Sequence, residues 1–70
     1  MNDYLPSLFK ELSELESKIE KLEKLIHNES FCNNFDPRHV ANTILQHIMM
    51  VGYRDALRIR ISTAQQYQNN

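Results

Sequence analysis

Apolar residues in the first third of the chain recur at the spacing of a helix that packs against another helix. They alternate between three and four residues apart, at Leu5, Leu8, Leu12, Leu15, Ile19, Leu22 and Ile26. This is the a/d pattern of a heptad repeat, and the positions between are mostly Glu and Lys. It predicts an amphipathic helix over about residues 4–27, with Pro6 in its first turn and Asp3 as its N-cap.

A polar stretch interrupts this periodicity at residues 28–36. Its Asn and Ser residues favour turns, and we expect Phe31 and Phe35 within it to fold back over the end of the hairpin. Asp36 and Pro37 then form a strong helix start, because Asp caps free backbone amides and Pro is tolerated in a first turn. A second helix is therefore predicted over about residues 37–66, followed by a polar tail at residues 67–70.

The second helix has a wider apolar surface than one partner helix covers. We expect the row that faces the first helix to consist of Gln46, Met50, Tyr53, Leu57, Ile61 and Ala64. A neighbouring, largely apolar row consists of Ala41, Leu45, Met49, Gly52, Ala56 and Ile59. Because one helix contact requires a stripe only a little over 100° wide, this second row indicates a further partner.

Together these patterns predict an all-α fold, in which one domain over residues 1–70 forms an antiparallel hairpin of two long helices. The hairpin places Tyr4 and Leu5 beside Arg60 and Ile61. Seventy residues bury only a marginal core, so we expect copies to assemble into a symmetric homo-oligomer. The predicted core and oligomer contacts are Leu12, Leu15, Ile19, Leu22, Gln46, Met50, Tyr53 and Leu57, with Gln46 fixing register across a symmetric interface.

Composition narrows the possible functions. Eight Lys and Arg against nine Asp and Glu give a net charge of −1, which argues against binding to a nucleic-acid backbone. No run approaches 18 apolar residues, and the first residues lack the basic and apolar regions of a signal peptide. We therefore expect a cytoplasmic protein that does not contact membranes. Cys32 is the single cysteine, which excludes an internal disulfide.

The chain lacks the residue patterns typical of enzymes. His27, His39 and His47 are 12 and 8 residues apart, so no two lie on adjacent helical turns as metal ligands would. Cys32 lies in a short connection that offers no enclosed cleft, and the one glycine lies inside a predicted helix. We expect a protein that catalyses no reaction and holds no cofactor or metal.

Charge is divided unevenly along the chain. Residues 1–37 hold eight acids and four Lys, a net charge of −4, whereas residues 38–70 hold four Arg and one Asp, a net charge of +3. Arg is suited to bidentate contacts with phosphate, and Tyr rings stack on nucleobases. The candidate ligand-binding residues are Arg54, Arg58, Arg60, His47, Tyr4 and Tyr67.

An alternative role is open for the arginines among these candidates. Arg54 and Arg58 are also placed to pair with the acidic face of the first helix, within one chain or across an interface. Arg60 is likewise placed to pair with Asp3 or Glu11. Ion pairing and ligand binding are therefore both open for all three arginines.

A set of residues along nearly the whole chain resembles a known family. The first half of the set is Asp3-Tyr4, Glu11, Glu14-Leu15, Lys18-Ile19, Leu22, Leu25-Ile26 and Phe31. The second half is Leu45-Gln46, Met50, Tyr53, Leu57 and Arg60-Ile61. The pattern is similar to that of small phage and prophage proteins named for their relatedness to a crAss-like phage reading frame. This resemblance implies a phage accessory protein that acts inside a bacterium.

Compact helical hairpins of this size also resemble phage sponge proteins, the anti-CBASS and anti-Thoeris proteins that sequester cyclic nucleotide signals of host defence. The likeness is one of fold, and it implies a symmetric oligomer that binds its ligand between protomers. Two functions are therefore open. The chain is either an anti-defence protein that sequesters a phosphate-bearing cyclic nucleotide, or a helical interaction module that docks on a host or phage protein.

Overall fold

The computed structural model describes residues 4–68, and nearly all of them are helical. Helix α1 spans Tyr4–Ile26, a short helix α2 spans Glu29–Asn34, and helix α3 spans Pro37–Gln68. The two long helices pack side by side in a hairpin with extents of 53 × 15 × 14 Å. The all-α hairpin predicted from the hydrophobic periodicity is confirmed. Asp3, the predicted N-cap of the first helix, lies outside the described residues.

The connection between the long helices contains α2, where the sequence predicted a turn. Asn28 caps this helix, because its side-chain oxygen accepts a hydrogen bond of 3.0 Å from the backbone N–H of Phe31. Phe31 is buried, whereas Phe35 stays 53% exposed. The ring of Phe35 has its centroid 4.9 Å from that of Phe31 and 5.8 Å from that of His39. Phe31 thus folds inward as expected, and Phe35 covers it from outside.

Asp36 starts α3 in the way its position before Pro37 predicts. Its side-chain Oδ1 accepts a hydrogen bond of 2.8 Å from the backbone N–H of Arg38. Its carbonyl accepts from the backbone N–H groups of His39 and Val40, at 2.8 and 3.1 Å. These contacts satisfy amides that the first turn of a helix leaves without partners.

The core lies along the seam between α1 and α3. Its buried residues are Leu8, Leu15, Ile19, Leu57 and Ile61. Leu57 is fully buried, with 0% of its surface exposed. All seven residues of the α1 heptad are buried or half-buried, which confirms the contact row predicted for this helix.

Helix α3 presents a different row to α1 from the one predicted. The buried and half-buried positions of this row are Val40, Thr43, His47, Met50, Arg54, Leu57, Ile61 and Ala64. Gln46 and Tyr53 are exposed, so their assignment to the hairpin core is wrong for the single chain. Both rows have a spacing of three and four residues, and they share Met50, Leu57, Ile61 and Ala64.

The two rows differ because polar residues occupy contact positions in the first half of α3. Thr43 is buried there and donates a 2.8 Å hydrogen bond from its hydroxyl to the carbonyl of His39. His47 and Arg54 are half-buried in the same row. A prediction made from apolarity alone therefore places the contact row one residue too early, at Gln46 and Tyr53 in place of His47 and Arg54.

The side of α3 that points away from α1 is apolar and exposed. We call it the outer face of α3, and it consists of Ala41, Leu45, Ile48, Met49, Gly52, Ala56 and Ile59, all of which are exposed. Its large side chains are between 48% and 67% exposed. A contiguous apolar surface of this kind is typical of an interaction site. Within residues 4–68, no helix is both long and apolar enough to traverse a lipid bilayer.

Candidate functional site

A cleft of about 470 Å³ lies at the end of the hairpin opposite α2. Its lining consists of Tyr4, Ile59, Arg60, Thr63, Ala64 and Tyr67. Tyr4 comes from the first turn of α1, and the other residues come from the last turns of α3. Because residues four apart share one side of a helix, Ile59, Thr63 and Tyr67 form one ridge of the cleft and Arg60 and Ala64 form the next.

Arg60 joins the two helices at this cleft. Its Nη2 donates a hydrogen bond of 3.2 Å to the phenolic oxygen of Tyr4. This hydrogen bond, and to a smaller extent the negative charge of Glu11, raises the pKa of Arg60 above its usual value. A guanidinium carries five N–H donors, so one bond to Tyr4 leaves donors that can bind an anion. The predicted proximity of Tyr4 and Arg60 is confirmed.

Within residues 4–68, the partner of Arg60 is the hydroxyl of Tyr4 rather than the carboxylate of Glu11. The other acid expected there, Asp3, lies outside the described residues. Among residues 4–68, Arg60 is therefore held by a neutral hydroxyl, and no carboxylate of this range is in direct contact with it.

The aromatic rings of the cleft are accessible to a ligand. Tyr67 is 82% exposed and Tyr4 is 52% exposed, while Ile59 adds an apolar side chain that is 67% exposed. Exposed tyrosine rings can stack on planar bases, and the hydroxyl of Thr63 can donate or accept a hydrogen bond. The cleft thus combines a cation, two aromatic rings and an apolar wall, which suits a planar, anionic small molecule.

The other three predicted ligand residues lie along the seam between α1 and α3, away from the cleft. Arg58 Nη2 is 2.6 Å from Glu16 Oε2 on α1, as the ion-pair alternative predicted. Arg54 Nη2 is 3.2 Å from Oδ1 of its neighbour Asp55. The side chains of Arg58 and Arg60 lie on nearly opposite sides of α3, because residues two apart are rotated by about 200° around the helix axis. The structure therefore brings together Tyr4, Arg60 and Tyr67 and leaves the rest elsewhere.

His47 occupies the same seam and has an unusual environment. Its Nε2 is buried and has no hydrogen-bond partner within the described residues. The nearest carboxylate oxygen, Oε2 of Glu23, is 3.9 Å away. This distance permits an electrostatic contact if the ring is protonated, but it exceeds that of a hydrogen bond. In the part of the chain that the structure describes, no cluster of three His, Cys, Asp or Glu side chains is placed to hold a metal ion.

Sequence reasoning missed the part that Ile59, Thr63 and Ala64 play in the cleft. Thr63 and Ile59 lie four and eight residues before Tyr67, and Ala64 lies four residues after Arg60. This spacing places them on the same side of the helix as the predicted ligand residues, and it could have identified them from the sequence. These residues are unremarkable in type, however, and they become relevant only once Tyr4 is known to lie beside Arg60.

The fold and the cleft define a small all-α hairpin protein whose open end has a cleft lined by an arginine and two tyrosines. The Sequestin family model matches residues 2–63, which is most of the chain, and the chain belongs to the Sequestin family. The match includes Tyr4, Arg60 and Thr63 and ends before Tyr67. No curated protein and no solved structure matches the chain.

Proposed function

We propose that this protein is a phage anti-defence protein that binds and sequesters a phosphate-bearing, cyclic nucleotide signal between protomers in the cytoplasm of a bacterial host. The observation that carries this proposal is the cleft, where the guanidinium of Arg60 lies with the rings of Tyr4 and Tyr67. The family name, Sequestin, describes a sequestering role and supports the same function.

The chemistry of the cleft fits the two parts of such a ligand. A nucleobase stacked on an exposed tyrosine contributes about 1–3 kcal/mol to binding, and a charge-assisted hydrogen bond from Arg60 to phosphate contributes about 1.5–3 kcal/mol. One cleft supplies a single arginine, so tight binding calls for groups from more than one copy. A symmetric homo-oligomer meets this requirement, because each copy adds the same groups at the junction.

We propose further that the protein acts by binding alone and releases its ligand chemically unchanged. A sequestering protein lowers the free concentration of a signal by mass action, and the effect grows with the concentration of the protein and with its affinity for the signal. The test is to load the protein with a cyclic dinucleotide, denature it, and compare the recovered nucleotide with the input by mass spectrometry. Recovery of a hydrolysed or linearised product would show that the protein is an enzyme.

Calorimetry and mass spectrometry test the choice of ligand. We expect small molecules retained by the purified protein to include a nucleotide, and cyclic di- or trinucleotides to bind in titration calorimetry. Arg60→Gln should weaken this binding about tenfold or more, since it removes a charge-assisted hydrogen bond. Lys21→Gln on the exposed surface of α1 removes the same charge away from the cleft and should have no effect. Absence of binding by every cyclic nucleotide tested would exclude this ligand class.

A second function is favoured by the outer face of α3, where Leu45, Ile48 and Met49 are 48%, 58% and 63% exposed. This surface would let the chain act as a helical interaction module that docks on a host or phage protein. In that case Leu45→Glu should abolish a stoichiometric complex with one protein, and Arg60→Gln should leave that complex intact. The reverse pattern supports nucleotide sequestration.

A further inference from the structure

We propose that the outer face of α3 packs against the same face of a second copy, with the two α3 helices antiparallel and centred on Gly52. This inference rests on the proposed function and deepens it, because it names the protomer junction at which the ligand is held. The partner is a copy of this chain, and the contact closes the open side of the cleft.

The outer face is large enough to form a stable contact. No charged residue occurs from Val40 to Tyr53, and the large apolar side chains there are Ile44, Leu45, Ile48, Met49 and Tyr53, which are between 40% and 63% exposed. Asp55, at the edge of the outer face, is paired with Arg54 at 3.2 Å. The outer face supplies four of the large side chains, Leu45, Ile48, Met49 and Ile59, and Ile44 and Tyr53 flank it on either side. Together the six offer on the order of 600 Å² per copy, at roughly 100 Å² for each side chain. Specific interfaces start at about 600 Å² per partner, so two such faces suffice for a dimer.

The distribution of charge indicates that the outer face of α3 is covered by α3 of the second copy and not by its α1. The outer surface of α1 carries exposed charged residues on every turn, at Lys10, Glu14, Lys18, Glu20, Lys21 and Lys24. Packing this surface on the outer face of α3 would bury charges without partners, which is unfavourable. Two copies of the outer face avoid this cost, and a two-fold axis pairs them without leaving either one uncovered.

Gly52 marks the centre of the contact. An added Cβ at Gly52 would meet nothing within 4 Å, and no glycine among the described residues has a positive φ. Neither packing within the chain nor backbone conformation therefore explains a glycine in the middle of a helix, where it is less favourable than alanine. Close approach of a second helix does explain it. In the antiparallel pairing, Ile48 lies level with the small Ala56 of the second copy.

The same register completes the cleft. Ile59 belongs both to the outer face and to the lining of the cleft, so a second copy on that face also borders the cleft. Residues equally far from Gly52 in opposite directions lie level, which places Leu45 of the second copy beside Ile59. Arg38 is 14 residues before Gly52, about 21 Å along the helix, and lies level with the end of the cleft near Tyr67. Each cleft then has its own Arg60 and a second arginine, Arg38, from the other copy. The guanidinium of Arg38 pairs with Asp36 at 2.9 Å through Nη2 and at 3.3 Å through Nε, and its remaining N–H donors can bind an anion.

Disulfide trapping tests this arrangement directly. The background is Cys32→Ser, because serine retains a donor for the 3.3 Å bond from Cys32 to the carbonyl of Ile26. Gly52→Cys in this background should form a disulfide-linked dimer under mild oxidation, since a disulfide forms only between Cα atoms within about 7 Å. Ser17→Cys on the exposed surface of α1 is the matched control and should remain monomeric on a denaturing gel.

A mixture of two variants tests the register. Leu45→Cys and Ile59→Cys should each fail to cross-link alone, because each lies about 21 Å from its own copy along the pair. Mixed together, they should form a heterodimer. Cross-linking of Leu45→Cys alone at the rate of the mixture would overturn the register. Failure of both Gly52→Cys and the mixture to exceed the control would overturn the interface; the mixture is needed because Gly52→Cys adds a side chain at the point of closest approach.

A third measurement separates this inference from the proposed function. In the cross-linked Gly52→Cys dimer, Arg38→Gln should weaken cyclic nucleotide binding about tenfold while the dimer persists, as loss of one charge-assisted hydrogen bond would. A monomer in light scattering that still binds cyclic nucleotides would overturn the interface and leave the proposed function standing. A trapped dimer that binds none would support the interface and count against the proposed ligand.

Discussion

The guanidinium of Arg58 on α3 lies 2.6 Å from the carboxylate of Glu16 on α1, and this ion pair joins residues 42 positions apart in the chain. Arg60, two residues further along, instead donates to the hydroxyl of Tyr4 in the cleft. Two arginines that look alike in the sequence thus differ in partner. Arg58 forms an ion pair between the two helices, whereas Arg60 keeps unused N–H donors at the cleft.

The Arg58–Glu16 pair should make a small and salt-sensitive contribution to stability. The two side chains are 51% and 41% exposed, and ion pairs of this kind contribute about 0.2–1 kcal/mol. We expect a double-mutant cycle with Arg58→Ala and Glu16→Ala, measured by urea unfolding, to give a coupling energy in that range. The coupling should fall at 1 M salt, where charges are screened. A fold lost in the Arg58→Ala single variant would contradict this weak role.

Leu57 should be the most sensitive single position in the core. It is fully buried between the helices, so Leu57→Ala should lower the free energy of unfolding by about 2–5 kcal/mol. The control is Leu45→Ala on the outer face, measured at protein concentrations low enough for copies to dissociate. That variant should change stability by no more than about 0.5 kcal/mol. Equal losses at both positions would show that the core has been misplaced.

Asp36 should make the start of α3 sensitive to acid. Hydrogen bonds from the side chain and backbone of Arg38 lower the pKa of Asp36 below its usual value. The unfolded chain therefore binds the proton more tightly, so the stabilisation is complete above the unfolded pKa of about 4 and is lost as pH falls through the lower folded pKa. Urea midpoints measured from pH 6 downwards should decline less for Asp36→Asn than for the unmodified chain.

Asparagine is the informative replacement at this position, because it keeps a side-chain oxygen for the cap and loses only the titrating charge. Asp55→Asn is the control, since it removes a carboxylate elsewhere on the same helix. The same acid sensitivity in Asp36→Asn as in the unmodified chain would show that Asp36 has no part in it.

Gln46 distinguishes the observed contact row of α3 from the predicted one. Gln46 is exposed in the structure, so Gln46→Ala should change the free energy of unfolding by less than about 0.5 kcal/mol. Thr43→Ala, in the observed row, should cost more, since it removes a buried side chain and its hydrogen bond to His39. Light scattering on the same variants checks assembly. A change of oligomer size in Gln46→Ala would restore its predicted place at a symmetric interface.

The contact row of α1 was predictable because the apolar residues of this helix are the same residues that contact α3. Leu15 and Ile19 are apolar, and their neighbours on the outer surface are charged, so one stripe alone fits the pattern. On α3 the apolar residues and the contact residues do not coincide. His47 and Arg54 occupy contact positions, while Ile48 points away from α1 and is 58% exposed. A helix with apolar residues on two sides has two candidate rows, and its periodicity does not distinguish them.

The cleft was predictable only in part, for a related reason. The tyrosine and arginine types pointed to a planar anionic ligand, and the antiparallel hairpin correctly placed Tyr4 beside Arg60. Arg58 pairs with Glu16, whereas Arg60 bonds to Tyr4, because α1 brings different side chains opposite the two arginines. Which side chains come opposite depends on how each helix is rotated about its own axis. Residue type alone carries no information about that rotation.

Helix limits, the cap at Asp36 and the spacing of apolar residues on α1 are set by interactions among residues close together in the chain. These interactions depend on residue type and local order, which is why they could be inferred before the fold was known. The rotation of α3, the pairing of Arg58 with Glu16 and the cleft around Arg60 depend on packing between segments more than 40 residues apart. Side chains that are distant in sequence compete for one seam, and the arrangement that buries Leu57 and Ile61 determines which polar groups face the cleft.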